Sequence, residues 1–132
     1  MNAKTLSAVF PIILKNDGKN IKILLHRRQN TGYQDGKMDI AGSGHVDEGE
    51  TARIAVVREC KEESNQIISG LKFVGLAKYT EMNAVIYYTF LKEEEPFIEN
   101  NEIKELIWWK PGEEIGETCS DSMKFIELYR EN

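Results

Sequence analysis

The chain is poor in cysteine: Cys60 and Cys119 are the only two among 132 residues. Two scattered thiols build no disulfide framework and fit a reducing, cytoplasmic setting better than a secreted one. No apolar run approaches the ~18 residues that a membrane-spanning helix needs. Leu6 to Leu14 comes nearest, but Ser7 and Pro11 interrupt it and no small-residue cleavage site follows, so it reads as a strand and not a signal peptide. Basic residues are in deficit, with 17 Lys and Arg against 22 Asp and Glu and a formal charge of −5. Non-specific nucleic-acid binding needs a basic footprint, which argues against that class. An acidic protein still binds a small polyanion when divalent cations lie between them. His45 has no Cys or His partner to make a zinc site. Repeats, low-complexity tracts and linkers are missing, and the length suits one domain over residues 1–132.

Punctuation and periodicity give the order of elements. Thr5 to Leu14 is aliphatic and β-branched and ends at Asn16-Asp17-Gly18, a turn signal; Asn20 to Arg28 resumes the pattern, which predicts a hairpin. Gln29 to Gly36 reads as a loop, and Lys37 to Ala41 as a short extended segment before Gly42-Ser43-Gly44. A helix opens at Glu50-Thr51 and runs to about Ser64, with Thr51 as N-cap and Asn65 able to adopt the left-handed conformation that ends helices. Leu71 to Tyr79 and Ala84 to Leu91 predict a second hairpin. Glu93 to Asn101 is a polar loop, Leu106 to Trp109 a strand stopped by Pro111-Gly112, and Ser120 to Tyr129 a helix with Ser120 as N-cap. The expected fold class is α/β (α+β): a mixed β-sheet sandwiched between helices.

The stretch from Gly44 to Gln66 carries the chemistry. At about 100° per residue, Glu62 lies at about 300° and Glu63 at about 40° from Glu59, so three carboxylates share a sector of about 100°. Like charges at these spacings destabilise a helix by a few tenths of a kcal/mol per pair, a cost expected where cations fill the gap. Mg²⁺ suits such a set, since it takes oxygen ligands and draws others from water and phosphate. A solvated acidic face is the bland alternative for an isolated Glu-x-x-Glu-Glu.

The whole pattern reads Gly44, five residues, Glu50, seven residues, then Arg58-Glu59-Cys60-Lys61-Glu62-Glu63-Ser64-Asn65-Gln66. It resembles the Nudix box, and the resemblance implies metal-assisted hydrolysis of a nucleoside-diphosphate-linked compound. Carried over, it makes Glu59, Glu62 and Glu63 metal ligands and places the Gly44 carbonyl close to metal. It has Arg58 orient the catalytic carboxylate of Glu59, and Glu50 set the loop–helix junction. The metal implied is Mg²⁺, with Mn²⁺ as substitute. Three positions depart from the pattern: Cys60 and Gln66 replace aliphatics, and Asn65 replaces glycine. Cys is a small hydrophobe and Asn a tolerable terminator, whereas Gln66 has no evident excuse.

In such hydrolases water attacks phosphorus and a carboxylate takes its proton. Glu59 is one candidate base. Glu102, six residues before Trp108 as in the nucleotide-sanitising members, is the other, with Glu99 and Glu105 as neighbouring competitors. Arg27 and Arg28 end a strand and are candidates for phosphate, which the guanidinium fork suits. Tyr33, Trp108 and Trp109 are candidates for stacking on a base, although strand alternation turns one tryptophan inward. Markers of the ADP-ribose, dinucleoside-polyphosphate, coenzyme A and isopentenyl diphosphate branches are lacking; Glu81, for instance, stands where the ADP-ribose branch has proline. The expected reaction is nucleoside triphosphate to monophosphate plus pyrophosphate. ADP-ribose or nucleotide-sugar hydrolysis and a non-catalytic nucleotide-sensing domain are the alternatives. The expected partner is a small nucleotide, with no nucleic acid and no membrane, on a monomer or homodimer.

Overall fold

The computed structural model describes residues 7–119 and 121–131. The elements run β1 (Ser7–Asn16), β2 (Ile21–Arg28), β3 (Met38–Ile40), β4 (Gly44–His45), α1 (Ala52–Ser64), β5 (Lys72–Tyr79), β6 (Met82–Phe90), β7 (Ile103–Trp109) and α2 (Ser122–Arg130). All the anticipated elements form; β4, only two residues long and beginning in glycine, was not anticipated. Thr5 at the expected start of the first strand and Ser120 as an expected N-cap lie outside the described residues. Asp121 occupies the cap position of α2 without a capping side-chain bond.

The first hairpin closes because Asp17 accepts from the backbone N–H of Lys19 and Asn20 at 3.2 and 2.9 Å, with Gly18 at φ 98°. The strands make one mixed sheet in the order β3-β2-β1-β6-β5. β1 and β6 run parallel from Ser7 opposite Asn83 to Leu14 opposite Phe90, and every other pairing is antiparallel. β1 and β2 share only a short ladder, Leu14–Asn16 against Ile21–Ile23. Beyond it they part: the start of β1 takes β4 as partner and the end of β2 takes β3. β7 lines the other edge of β2.

β1 is apolar at nearly every position because both faces are covered. Phe10, Ile12 and Leu14 join Phe125 and Ile126 of α2 on one side. Val9 and Ile13 join Ala55, Val56 and Cys60 of α1 on the other. This is the two-layer covering expected of a mixed sheet between helices. Each fully buried aliphatic or Phe here contributes on the order of 1.5–3 kcal/mol of transfer free energy. Among the described residues no helix is long and apolar enough to cross a membrane.

Candidate active site

Helix α1 is set at both ends by its own sequence. Thr51 Oγ1 accepts from the Ile54 N–H at 3.2 Å, and Asn65 closes the helix at φ 62° with its N–H on the Lys61 carbonyl at 3.1 Å. Its buried face is Ala55, Val56, Cys60 and Ser64. Gly42 lies flat against Cys60: a Cβ added there would stand 2.9 Å from the sulfur, and φ is +82°. A small residue at 60 therefore lets the 41–45 segment descend onto the helix. Gly44 in turn sits so close to Glu59 that a Cβ would collide with its carboxylate.

Arg58 is the hub of the box. Its Nε and Nη2 grip Glu50 at 2.7 and 2.8 Å, and Nη1 donates to Glu59 at 2.6 Å and to Glu62 at 3.2 Å. Nη2 also reaches the His45 carbonyl at 3.0 Å, tying helix to loop. Hydrogen bonding by Arg58, then by the Asp47 N–H, holds the Glu50 carboxyl down at about 2. Glu50 is thus a fixed anion at the loop–helix junction.

A cavity of about 280 Å³ opens beside this hub, where β1 and β2 diverge. Gly44, Glu59, Glu63, Glu102, Arg28 and Tyr33 line it together. Glu102 is 43 residues from Glu59 in the chain, and the fold unites them. Burial first, then the charges of Glu59 and Glu102, push the Glu63 carboxyl up to about 7; Arg28 opposes this and Asp39 adds to it. Glu62 is outside this lining, more than half exposed, and linked to the site through Arg58. Arg27 is also outside: it is bound to Glu105 at 2.7 Å and to the Gly36 carbonyl at 3.0 Å. Of the three acids around position 102 only Glu102 faces the cavity, since Glu105 holds Arg27 and Glu99 holds Gln29 at 3.0 Å.

Arg28 lines the cavity, and three of its five N–H donors are engaged within the protein. Nε donates to the Tyr33 carbonyl at 2.9 Å, Nη1 to Asp39 at 3.2 Å and Nη2 to Thr31 Oγ1 at 3.2 Å, and its guanidinium lies 5.3 Å from the Tyr33 ring centroid. The bonds to Tyr33 and Thr31 brace the 29–36 loop that walls the cavity. Neither tryptophan lines the cavity. Trp109 packs in the core beneath α2, and Trp108 donates to Glu94 at 2.7 Å.

Two departures from the box have a structural reason. Gln66 is buried; its Nε2 donates to the Glu95 carbonyl at 2.7 Å and its Oε1 accepts the Glu95 N–H at 2.9 Å. Asn65 Nδ2 donates to the Pro96 carbonyl at 2.8 Å, and Asn100 returns a bond to the Glu63 carbonyl at 3.1 Å. These amides clamp the 93–101 loop, and so the approach to Glu102, onto the end of α1. Sequence reasoning also missed His26 and Asp39, which face each other across β2 and β3 at the cavity. Only the pairing of β2 with β3 across the intervening loop reveals them.

Among the described residues no three acidic, His or Cys side chains form a ready-made cation cage. Arg58 holds Glu59 and Glu62 by hydrogen bonds at 2.6 and 3.2 Å. The donors nevertheless fit a hard divalent cation: they are oxygens, Glu63 is raised by burial and then by the charges of Glu59 and Glu102, and the bare Gly44 backbone abuts Glu59.

A mixed sheet between helices thus carries a glycine loop and a carboxylate helix that edge one cavity. The NUDIX domain family matches residues 4–129, and the chain belongs to it. It is accordingly a hydrolase of phosphoanhydride bonds, in a family that generally uses divalent metal ions. Similar solved structures agree in fold. The MutT NUDIX hydrolase of Burkholderia pseudomallei superposes with TM-score 0.80 at 19% identity, covering 96% of this chain and 98% of that one. The NUDIX domain of Shewanella oneidensis NrtR, complexed with ADP ribose, gives 0.77 at 18%, covering 98% and 89%. The E. coli ORF135 protein gives 0.68 at 23%, covering 97% and 90%. No curated protein matches the chain in sequence.

Proposed function

We propose that the chain hydrolyses a nucleoside triphosphate to the monophosphate and pyrophosphate with Mg²⁺ or Mn²⁺. The observation that carries this reading is the gathering of Glu59, Glu63 and Glu102 on one cavity, where burial and then the charges of Glu59 and Glu102 push the Glu63 carboxyl to about 7. Such crowding suits a site that receives cations together with a polyphosphate. Glu59, Glu62, Glu63 and the Gly44 carbonyl would hold the metal. When bound, the cation neutralises phosphate charge and lowers the pKa of the attacking water. Arg58 orients Glu59 by its 2.6 Å bond, and Glu50 holds Arg58 in turn. Water adds to one phosphorus of the α–β linkage, its proton passes to the carboxylate of Glu59 or Glu102, and the bridging P–O bond breaks with its electron pair on the departing phosphate.

Arg28 and the loop it braces wall the nucleoside side, with Tyr33 and Tyr79 as aromatic surfaces. A cavity of about 280 Å³ is near the lower end of small-molecule sites, which suits a compact nucleotide. The likeness to a domain solved with ADP ribose favours a second reading, hydrolysis of ADP-ribose or a nucleotide sugar. A panel of nucleoside triphosphates, ADP-ribose, NADH, diadenosine polyphosphates and nucleotide sugars, with Mg²⁺ and with chelator, separates the two. Highest kcat/KM on ADP-ribose or a nucleotide sugar overturns the triphosphate reading; full turnover in excess chelator overturns the metal assignment.

A further inference from the structure

The loop that walls the cavity has a backbone that needs outside support. Asn30, Gly32, Gln34 and Gly36 alternate along it at φ between 49° and 83°. That left-handed region is costly outside glycine, and such a backbone persists only where its surroundings fix it. Two braces do so. From one side the Glu102 and Asn101 carbonyls hold the Gln29 N–H at 2.9 Å and the Asn30 amide at 3.0 Å. From the other, Arg28 holds the Tyr33 carbonyl and Thr31 Oγ1, and Thr31 and Tyr33 are the loop residues that line the cavity.

Arg28 is itself fixed by Asp39, whose Oδ2 accepts from Nη1 at 3.2 Å. Oδ1 of the same carboxylate accepts from the Ile40 N–H at 2.8 Å and from Ser122 Oγ at 2.6 Å, the shortest bond of the three. Asp39 and Ser122 are both buried, so little water competes, and a buried carboxylate is held where its donors are. Backbone bonds bring Ser122 there. The Met38 N–H meets the Glu117 carbonyl and the Cys119 N–H meets the Met38 carbonyl, each at 2.8 Å, and the Ser122 N–H meets the Cys119 carbonyl at 3.2 Å. Residues 117–119 therefore run along β3, and α2 starts beside Asp39.

We propose that Ser122 is a positioning residue of the active site: through Asp39 and Arg28 it holds the Thr31 and Tyr33 wall against which the nucleotide lies. This rests on the cavity being the substrate site. Ser122 does not line the cavity and acts only through the others. Without its hydroxyl, Asp39 Oδ1 keeps a single donor and the carboxylate is free to turn. The bond from Arg28, the longest of the three, is then the first to go, and the wall loosens. The carboxylate helix has no part in this chain of bonds, so substrate binding suffers while the chemical step does not.

Two variants test it. Ser122→Ala removes the donor. Asp39→Asn breaks the next link, since its oxygen still serves Ser122 and Ile40 while its amide meets Arg28 donor to donor. On the nucleotide that the wild type cleaves best, each should raise KM about tenfold with kcat changed less than about twofold. The double variant should bind no worse than Asp39→Asn alone, because both act through one chain of bonds. Hydrogen exchange followed by mass spectrometry should quicken in residues 29–36 and stay as in the wild type in β5, where Leu128 of α2 lies against Gly75. An unchanged KM in either variant, a kcat that falls as far as KM rises, or additive effects in the double variant overturns the proposal. So does faster exchange in α2 and β5 with residues 29–36 unaltered, or a Ser122→Ala chain that does not fold, because the hydroxyl would then hold the helix and not the wall. Failure of the triphosphate reading is seen separately, as no pyrophosphate release from any nucleoside triphosphate by the wild type. The kinetic split is then read on the nucleotide-linked compound that the protein does cleave, and the exchange measurement needs no substrate.

Discussion

Replacing Glu63 by glutamine isolates the electrostatic strain of the cation-free site. The carboxyl lies near its ordinary 4.5 in the unfolded chain and at about 7 in the folded one. Between those values the folded protein holds a proton that the unfolded chain releases, so stability falls as pH rises. The contribution is complete below 4.5 and is lost as pH passes through 7. The full gap sets a ceiling of about 3 kcal/mol, which partial contact with water reduces to about 1–2 kcal/mol. Glu63→Gln removes the proton linkage. In chelator the variant should match the wild type at pH 4 and melt roughly 4–8 °C higher at pH 8, for a chain of this size. Saturating Mg²⁺ should raise the wild type at pH 8 and close the difference. Calorimetric melts from pH 4 to 8.5, with and without Mg²⁺, measure all of this. A difference that is flat across pH would refute the reasoning, because Glu63 would then not change its proton affinity on folding.

The other expectations concern turnover. Glu59→Gln and Glu62→Gln should each lower kcat by orders of magnitude with the fold retained by circular dichroism; unchanged turnover in either refutes that residue's assignment. Glu102→Gln separates the two candidate bases: a large loss of kcat with metal affinity retained favours Glu102, and no effect leaves Glu59. Gly44→Ala should reduce turnover strongly with the fold intact by circular dichroism, because its methyl group meets the Glu59 carboxylate.

The helix with its ligand face was legible because everything that determines it is local: Thr51 as cap, Asn65 as terminator, and carboxylates at three- and four-residue spacing. The hairpins were legible from Asn16-Asp17-Gly18 and from strand alternation. What escaped depends on contacts distant in sequence. Alternation sets Arg27 and Arg28 on opposite sides of β2, but only the pairing of Arg27 with Glu105 of β7 decides which one faces the cavity. Gln66 looked misplaced because its partner, Glu95, is 29 residues away. His26 lies between Leu25 and Arg27 in β2, and nothing in its neighbours shows that its nitrogen goes unpartnered.

The amide clamp at the end of α1 bears on how the protein would respond to heat. Asn65 and Gln66 hold a segment with no regular structure by four bonds, counting the return from Asn100, and none of them is an ion pair. Such a segment opens locally at a free energy below that of global unfolding. If proton transfer depends on Glu102, warming releases the loop while the sheet and both helices are still folded. Turnover would then decline in a temperature range where circular dichroism registers no change.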